Sequence, residues 1–146
     1  MKVLVSACFL GVKCKYNGGD NRNEAVIQFC RDKDVIAVCP EIRAGMPCPR
    51  IPAEIMNGKV IDKKGKDVDA IYRNGVARVM KDIQHQKIEL AILKSRSPTC
   101  GVHEIYDGTF SGTCIPGEGL LAEALRKQGI PVIDEKEVER KGKKRR

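Results

Sequence analysis

The sequence predicts an α/β fold: a single domain on a mostly parallel, Rossmann-like sheet with flanking helices and a site at the carboxyl ends of the strands. Three observations lead there. At 146 residues the chain is long enough for one hydrophobic core and too short for two ordinary ones. Short runs that are apolar almost throughout alternate with segments of helical period, the pattern of strands buried on both faces under helices. Three of those runs lead, at or just past their carboxyl ends, into a cysteine.

The first strand is Val3 to Ser6, after which Ala7-Cys8 opens a stretch whose Gly11, Gly18 and Gly19 suit a loop. A short helix is expected from Asn23 to Arg31. Its Val26, Ile27 and Cys30 share a face, which makes Cys30 a small buried hydrophobe. Val35 to Cys39 is the second strand. Residues 40–66 carry four of the seven prolines, Pro40, Pro47, Pro49 and Pro52, and read as a stiff irregular loop followed by a small hairpin through "GKVIDKKGK". Rigid loops of this length lean towards function. The longest helix spans 67–86, where Val68, Ile71, Tyr72, Val76, Val79, Met80 and Ile83 recur at spacings of three and four as a core stripe. Leu90 to Leu93 is the third strand. A helix over 119–128 presents Leu120, Leu121, Ala124 and Leu125 and stops at Gly129, and Pro131 to Ile133 is the fourth strand.

The formal net charge is +8, but "RKGKKRR" at 140–146 holds six of the 27 basic residues and no acid. Residues 1–139 therefore carry 21 basic against 19 acidic groups, close to neutral. The reading divides the chain into a domain at 1–139 and a basic, disordered tail at 140–146 that adds weak contact with polyanions. With three Phe, three Tyr and no Trp there is no stacking platform for nucleic acid. No apolar run approaches the roughly 20 residues of a membrane helix, and Met1-Lys2 leads straight into a strand instead of a signal-peptide segment. The expectation is a cytoplasmic protein with no membrane partner.

Seven cysteines, an odd number, argue against a closed disulfide framework and for reduced thiols serving as ligands or nucleophiles. Cys8 follows strand one, Cys39 closes strand two in "VIAVCPE", and Cys100 lies beyond strand three in "ILKSRSPTCG". Any one of them could be an ordinary core residue. On a parallel sheet, however, the three carboxyl ends share the edge where open α/β folds bind ligands. Spacing removes several chemistries. No two cysteines form a Cys-x-x-Cys redox pair, and Cys14 stands six residues after Cys8, where a cysteine phosphatase would need arginine. Neither His85 nor His103 completes a familiar zinc spacing. Three convergent thiolates suit an iron-sulfur cluster with one open iron, a Lewis acid for a substrate. Glu41, two residues past Cys39, could move a proton or be a surface acid; Ser95 or Ser97 could stabilise developing charge.

"LVSACFLGVKCKYNGG", "VIAVCPEIRAGMPCPRIPAEI", "LAILKSRSPTCG" and "IYDGTFSGTCIPGEG" resemble the successive signatures of domain-of-unknown-function family 523, which includes the thiouracil desulfidases. The resemblance runs from residue 1 to about 135. It implies a cytoplasmic enzyme that removes sulfur from a thiolated uracil, free or as a nucleotide, with a 4Fe-4S cluster on Cys8, Cys39 and Cys100. It also implies catalytic roles for Glu41 and Ser97. The substrate's thiocarbonyl sulfur would bind the open iron while Glu41 activates the attacking water, leaving the sulfur on the cluster.

The chain departs from the family pattern at Cys14, Cys48 and Cys114, all expected to be dispensable for the cluster, with Cys48 expected nearest the site because it shares a rigid loop with Glu41. Arg50 could meet an anionic substrate group or stiffen that loop, and Gly117 and Gly119 precede a helix whose first amides could bind an anion. A sulfur transferase on the same cluster and a non-catalytic metal-binding or polyanion-binding module remain alternatives to the desulfidase.

Overall fold

The chain, described by a computed structural model over residues 1–144 with side chains through Lys141, begins with β1 (Lys2–Ser6), a 3-10 turn (Ala7–Leu10), α1 (Glu24–Cys30), β2 (Asp34–Val38) and α2 (Pro40–Arg43). It continues with β3 (Ala53–Met56), β4 (Lys59–Asp62), α3 (Asp69–Ile83), β5 (Leu90–Leu93), β6 (Glu104–Tyr106), β7 (Cys114–Pro116), α4 (Leu120–Lys127), β8 (Val132–Asp134) and α5 (Glu135–Lys144). The four expected strands pair in parallel in the order β2-β1-β5-β8.

Alternation along these strands assigns their side chains to two layers. Leu4, Ala91 and Leu93 pack with Tyr72, Val76 and Val79 of α3 and Leu121 and Leu125 of α4. Val3, Val5 and Ile92 face the opposite way, against Val26 and Cys30 of α1 and Val138 of α5. Burial of Cys30 follows the expectation from its helical face. Ile71, placed in the core stripe by spacing, is exposed. It lies one helical step, about 100°, from the buried line through Tyr72, Val76 and Val79.

The segment expected to be irregular is more ordered than the prolines suggest. Pro40 takes the first position of α2, where a missing N–H costs nothing, and Cys39 caps it. Gly75 in α3 lets α2 lie directly on that helix: a Cβ there would stand 2.2 Å from Pro40 O and 2.9 Å from Ala44 Cβ. The hairpin is shifted upstream of its expected place. β3 pairs antiparallel with β4 across Asn57-Gly58, the two-residue turn that matches strand twist. Residues 63–67 then fold back on Asp62, whose Oδ1 accepts from Lys64 N and Lys66 N at 2.9 Å each.

The antiparallel ribbon β6–β7 has no counterpart in the sequence reading. At three residues each, its strands are too short to show a period. α5 runs through Lys144, into the segment expected to be a disordered tail; residues 145–146 lie outside the described residues. Its side-chain contacts begin with Asp134 Oδ1 accepting from Glu137 N, an N-cap that starts the helix immediately after β8. Among the described residues no helix is long and apolar enough to cross a membrane.

Candidate active site

The chain passes from β1 to β2 on one side and later places β5 on the other, so the strand order reverses at β1. A cleft of about 640 Å³ opens there at the carboxyl ends, and Cys8, Cys39, Cys100, Glu41 and Ser97 all line it. Cys48 and Cys114 do not.

Each thiol is set by a different local device. Cys8 sits in the 3-10 turn that follows β1, and its Sγ accepts from Asn21 Nδ2 at 3.4 Å. Cys39 follows β2 directly as the N-cap residue of α2; its thiol donates towards Glu41 Oε2 at 3.7 Å. Cys100 lies in a turn anchored by Ser97 Oγ, which accepts from Thr99 N and Cys100 N at 3.1 Å each. Behind that turn the first amides of α4 are already engaged. Leu120 N donates to Pro98 O at 2.9 Å and Leu121 N to Thr99 O at 2.8 Å. These bonds overturn the reading of the helix start as an anion site. A Cβ at Gly119 would stand 2.5 Å from the Thr99 carbonyl carbon, so glycine is needed for α4 to come this close.

The surprise is Cys14. Its side chain is almost fully buried, at 4 % exposure, and packs with Ala7, Cys8 and Cys39. The neighbouring Cys39 and Cys8 thiols, together with burial, push the pKa of Cys14 far up. The nearby Cys14 thiol, working against burial and helped by Asn21 and the Lys94 ammonium, brings Cys8 down to about 7. Cys39 is lowered, again first by Cys14. Cys100 has no such neighbour of comparable strength: burial, then the charge of Glu41, pushes it up to about 12. Cys48, expected nearest the site, is exposed and instead bonds the carbonyls of Lys13 and Lys15 at 3.1 and 3.0 Å.

Glu41 is buried on α2 with loose partners. Thr99 Oγ1 donates to its Oε1 at 3.3 Å, and Arg50 Nη2 stands 4.0 Å from the same oxygen. Ser97 does not touch Glu41. Thr99, fully buried, stands between them with its Oγ1 3.0 Å from Ser97 Oγ. Sequence reasoning missed Thr99 because a threonine beside a cysteine has no spacing of its own to mark it. Ser95, the other candidate hydroxyl, is engaged elsewhere: its Oγ donates to Glu135 Oε2 at 2.9 Å and its N to Glu135 Oε1 at 2.9 Å. Lys94 Nζ meets the same carboxylate at 3.0 Å and lines the cleft. Arg50 is largely buried and ties loops together, with Nη2 donating to Cys14 O at 2.8 Å and its backbone N to Tyr16 O at 2.6 Å. Of the two roles open to Arg50, these bonds are those of a loop brace. His85 lies beyond the end of α3, and His103 pairs with Glu137 outside the cleft.

A family model described as 2-thiouracil desulfurase matches residues 3–137. The chain belongs to the 2-thiouracil desulfurase family. It is 36% identical over 146 residues to the uncharacterized protein YbbK of Bacillus subtilis (strain 168), covering 93% of this chain and 97% of that one. Among solved structures it resembles the 4Fe-4S-dependent thiouracil desulfidase TudS, with a TM-score of 0.85, 36% identity, and coverage of 92% of this chain and 91% of that one. The donor set at the cleft fits a cluster of that kind. Among the described residues, Cys8, Cys39 and Cys100 do not form a trio with all sulfurs within 4.8 Å of one another, the spacing ligands of a single ion would have. Three thiols held further apart, each beside a hydrogen-bond donor, suit a group with several irons.

Proposed function

We propose that this protein is a cytoplasmic desulfidase that holds a 4Fe-4S cluster on Cys8, Cys39 and Cys100 and removes the sulfur of a thiolated uracil, whether free, as a nucleotide or in RNA. The observation that carries this reading is the meeting of three strand-end thiols, a buried carboxylate and a hydroxyl pair in one cleft. Membership in the family and the likeness to TudS support it. The reaction is a hydrolysis: water replaces sulfur on the ring carbon, giving uracil and hydrogen sulfide.

When bound, the cluster would supply an exposed iron as Lewis acid for the thiocarbonyl sulfur. The protein's own groups handle the protons. Glu41, at the mouth of α2, takes a proton from the water that attacks the carbon. Its contacts of 3.3 to 4.0 Å leave the carboxylate free to turn towards that water. Ser97 Oγ accepts two backbone N–H bonds and so keeps its own proton to give, to Thr99 or to charge developing on the substrate. Thr99 links the serine and the carboxylate. The Lys94 ammonium adds positive charge to the lining, and a cleft of about 640 Å³ is of the size that small-molecule sites have. The basic residues from Arg140 onward give the protein weak attraction for polyanions.

Anaerobic reconstitution should load about four iron and four sulfide per chain, and the loaded protein should convert 2-thiouracil to uracil with one sulfide released per uracil. Protein that takes one zinc and no iron, or that holds the cluster and releases no uracil, would defeat the proposal.

A further inference from the structure

Six aromatic side chains are too few to stack along a strand of nucleic acid, but a single flat ring needs only one platform. All three tyrosines and one of the three phenylalanines, Tyr16, Tyr72, Tyr106 and Phe110, line the cleft, while Phe9 and Phe29 belong to the layer under α1. The fold accounts for three of the four. Tyr72 is part of the core beside α4, Tyr106 pairs with Cys114 in the β6–β7 ribbon, and the exposed Tyr16 accepts from Arg50 N through its carbonyl. Phe110 is half-buried and packs on neither core layer.

Its backbone is strained as well. Among the described residues, three other than glycine take positive φ: Asn57, in a hairpin turn where asparagine is ordinary, and Arg96 and Phe110, both of which line the cleft. The loop that carries Phe110, residues 107–113 at the tip of the ribbon, uses glycine at its other two left-handed positions, Gly108 at φ 94° and Gly112 at φ 81°. Between them Phe110 holds φ 57° with a bulky side chain, a conformation that persists only where the surroundings enforce it. Glu54 on β3 does so. It is buried, and its Oε1 accepts from Gly108 N at 3.0 Å and from Phe110 N at 3.1 Å. Gly108 lets the loop lie directly on β3, since a Cβ there would stand 2.7 Å from Met56 Cβ. A connection that only joined β6 to β7 would gain nothing from phenylalanine at a position where glycine is unstrained.

Resting on the desulfidase reading above, we infer that Phe110 is a specificity-determining residue whose ring stacks on the pyrimidine ring of the substrate, and that Glu54 is the positioning residue that aims it. A thiolated uracil is flat, with its sulfur on the ring edge. Water attacks a trigonal carbon from above or below the ring plane. An aromatic platform on one face therefore fixes the plane, leaves the sulfur edge uncovered, and keeps the other face for the water that Glu41 activates.

The experiment compares anaerobically loaded parent, Phe110→Leu, Phe110→Ala and Phe110→Tyr protein by equilibrium dialysis with uracil and by turnover of 2-thiouracil. Leucine keeps an apolar side chain but has no π-face, and alanine keeps neither. Both should bind uracil about 5-fold or more weakly and raise KM for 2-thiouracil by a similar factor. Iron content should be unchanged and kcat should stay within about twofold, because the platform holds the ring alike before and during the reaction. Tyrosine, which keeps the ring, should match the parent. A leucine protein with parent-like uracil affinity and KM would overturn the inference, and if that chain fails to fold, alanine decides by the same measurements. Glu54→Met removes the acceptor of the two amides, and Glu54→Ala takes its place if the methionine chain does not fold. It should weaken uracil binding as Phe110→Leu does and add nothing to that variant in the double substitution, whereas Glu54→Gln, which keeps an acceptor, should restore the parent's affinity. Additive losses would show that Glu54 does not act through Phe110. A parent that binds uracil, loses that binding in Phe110→Leu, and releases no uracil from 2-thiouracil would remove the desulfidase and leave the platform. One that turns 2-thiouracil over, with the leucine variant unchanged, would remove this inference alone, and one that does neither would remove both.

Discussion

Two glutamates line the cleft, with side chains equally buried at 11 % exposure and opposite in how their oxygens are bonded. Glu135, at the start of α5, has both oxygens filled at short range: Ser95 N and Oγ at 2.9 Å each and Lys94 Nζ at 3.0 Å. Glu41 has its nearest partners at 3.3, 3.7 and 4.0 Å. A buried carboxylate whose acceptors are filled by well-aligned donors is a brace, because moving it would leave several buried groups unpaired. One whose partners are long or misaligned retains capacity for a substrate or a water. Position in the cleft is therefore a weaker guide to chemistry than the state of a residue's hydrogen bonds. By sequence alone the difference was reversed in visibility, since Glu41 stands beside a cysteine while Glu135 sits in an unremarkable run of charges.

The widest separation between the two should come from amide substitution at each. Glu41→Gln keeps size and loop but removes the base, so cluster content should hold while turnover of 2-thiouracil falls by about 10²-fold or more. Parent-like turnover in that protein would break the comparison. Thr99→Val removes the hydroxyl between Ser97 and Glu41 at nearly constant volume. Losing one hydrogen bond of about 1.4 kcal/mol in the transition state predicts a fall of about 10-fold, read as kcat at saturating substrate. An unchanged kcat would show that Glu41 works without the serine.

Glu135→Gln should act on stability instead. Burial opposes ionisation there, but the Lys94 charge and the bonds from Lys94 and Ser95 outweigh it and hold the carboxyl below its usual value. A depressed folded pKa contributes stability that is present above the unfolded value and lost as pH falls through the folded one. The variant should lose about 1–3 kcal/mol near neutral pH, and its Tm should fall less steeply than the parent's as the medium is acidified. Two parallel acid limbs would mean that Glu135 is no brace. The smallest effect is expected at Cys114, which pairs with Tyr106 on the β6–β7 ribbon but, unlike Tyr106, does not line the cleft. Cys114→Ser should change stability by no more than about 0.5 kcal/mol and leave cluster content unaltered, and loss of iron there would place the ribbon in the site.

What was legible in the sequence was whatever depends on neighbours along the chain. Val3-Leu4-Val5 and Leu90 to Leu93 announce buried strands because a strand covered on both faces must be apolar at successive positions. Tyr72, Val76, Val79 and Ile83 announce the buried face of α3 because a helix returns to the same side every three or four residues. From these elements alone, Cys8, Cys39 and Cys100 could be assigned to one edge, and the structure brings all three to the same cleft.

What only the tertiary structure decided depends on bonds between segments far apart. The strand order β2-β1-β5-β8 sets where the cleft opens, and no local pattern encodes it. Pro40 to Arg43 read as irregular because a four-residue helix has no period; it is held by Gly75, some thirty residues away, which leaves room for the Pro40 carbonyl. Cys14 looked incidental and Cys48 close to the site, yet the bonds of Cys48 and Arg50 to the carbonyls of Lys13, Cys14 and Lys15 reverse their places. Thr99 and Glu135 likewise acquire their meaning only from Glu41 and Ser95, reached across 58 and 40 positions of chain. A residue's periodicity is a property of its own segment and can be read in one dimension, whereas a hydrogen bond between loops exists only once the sheet has brought both loops to the same edge.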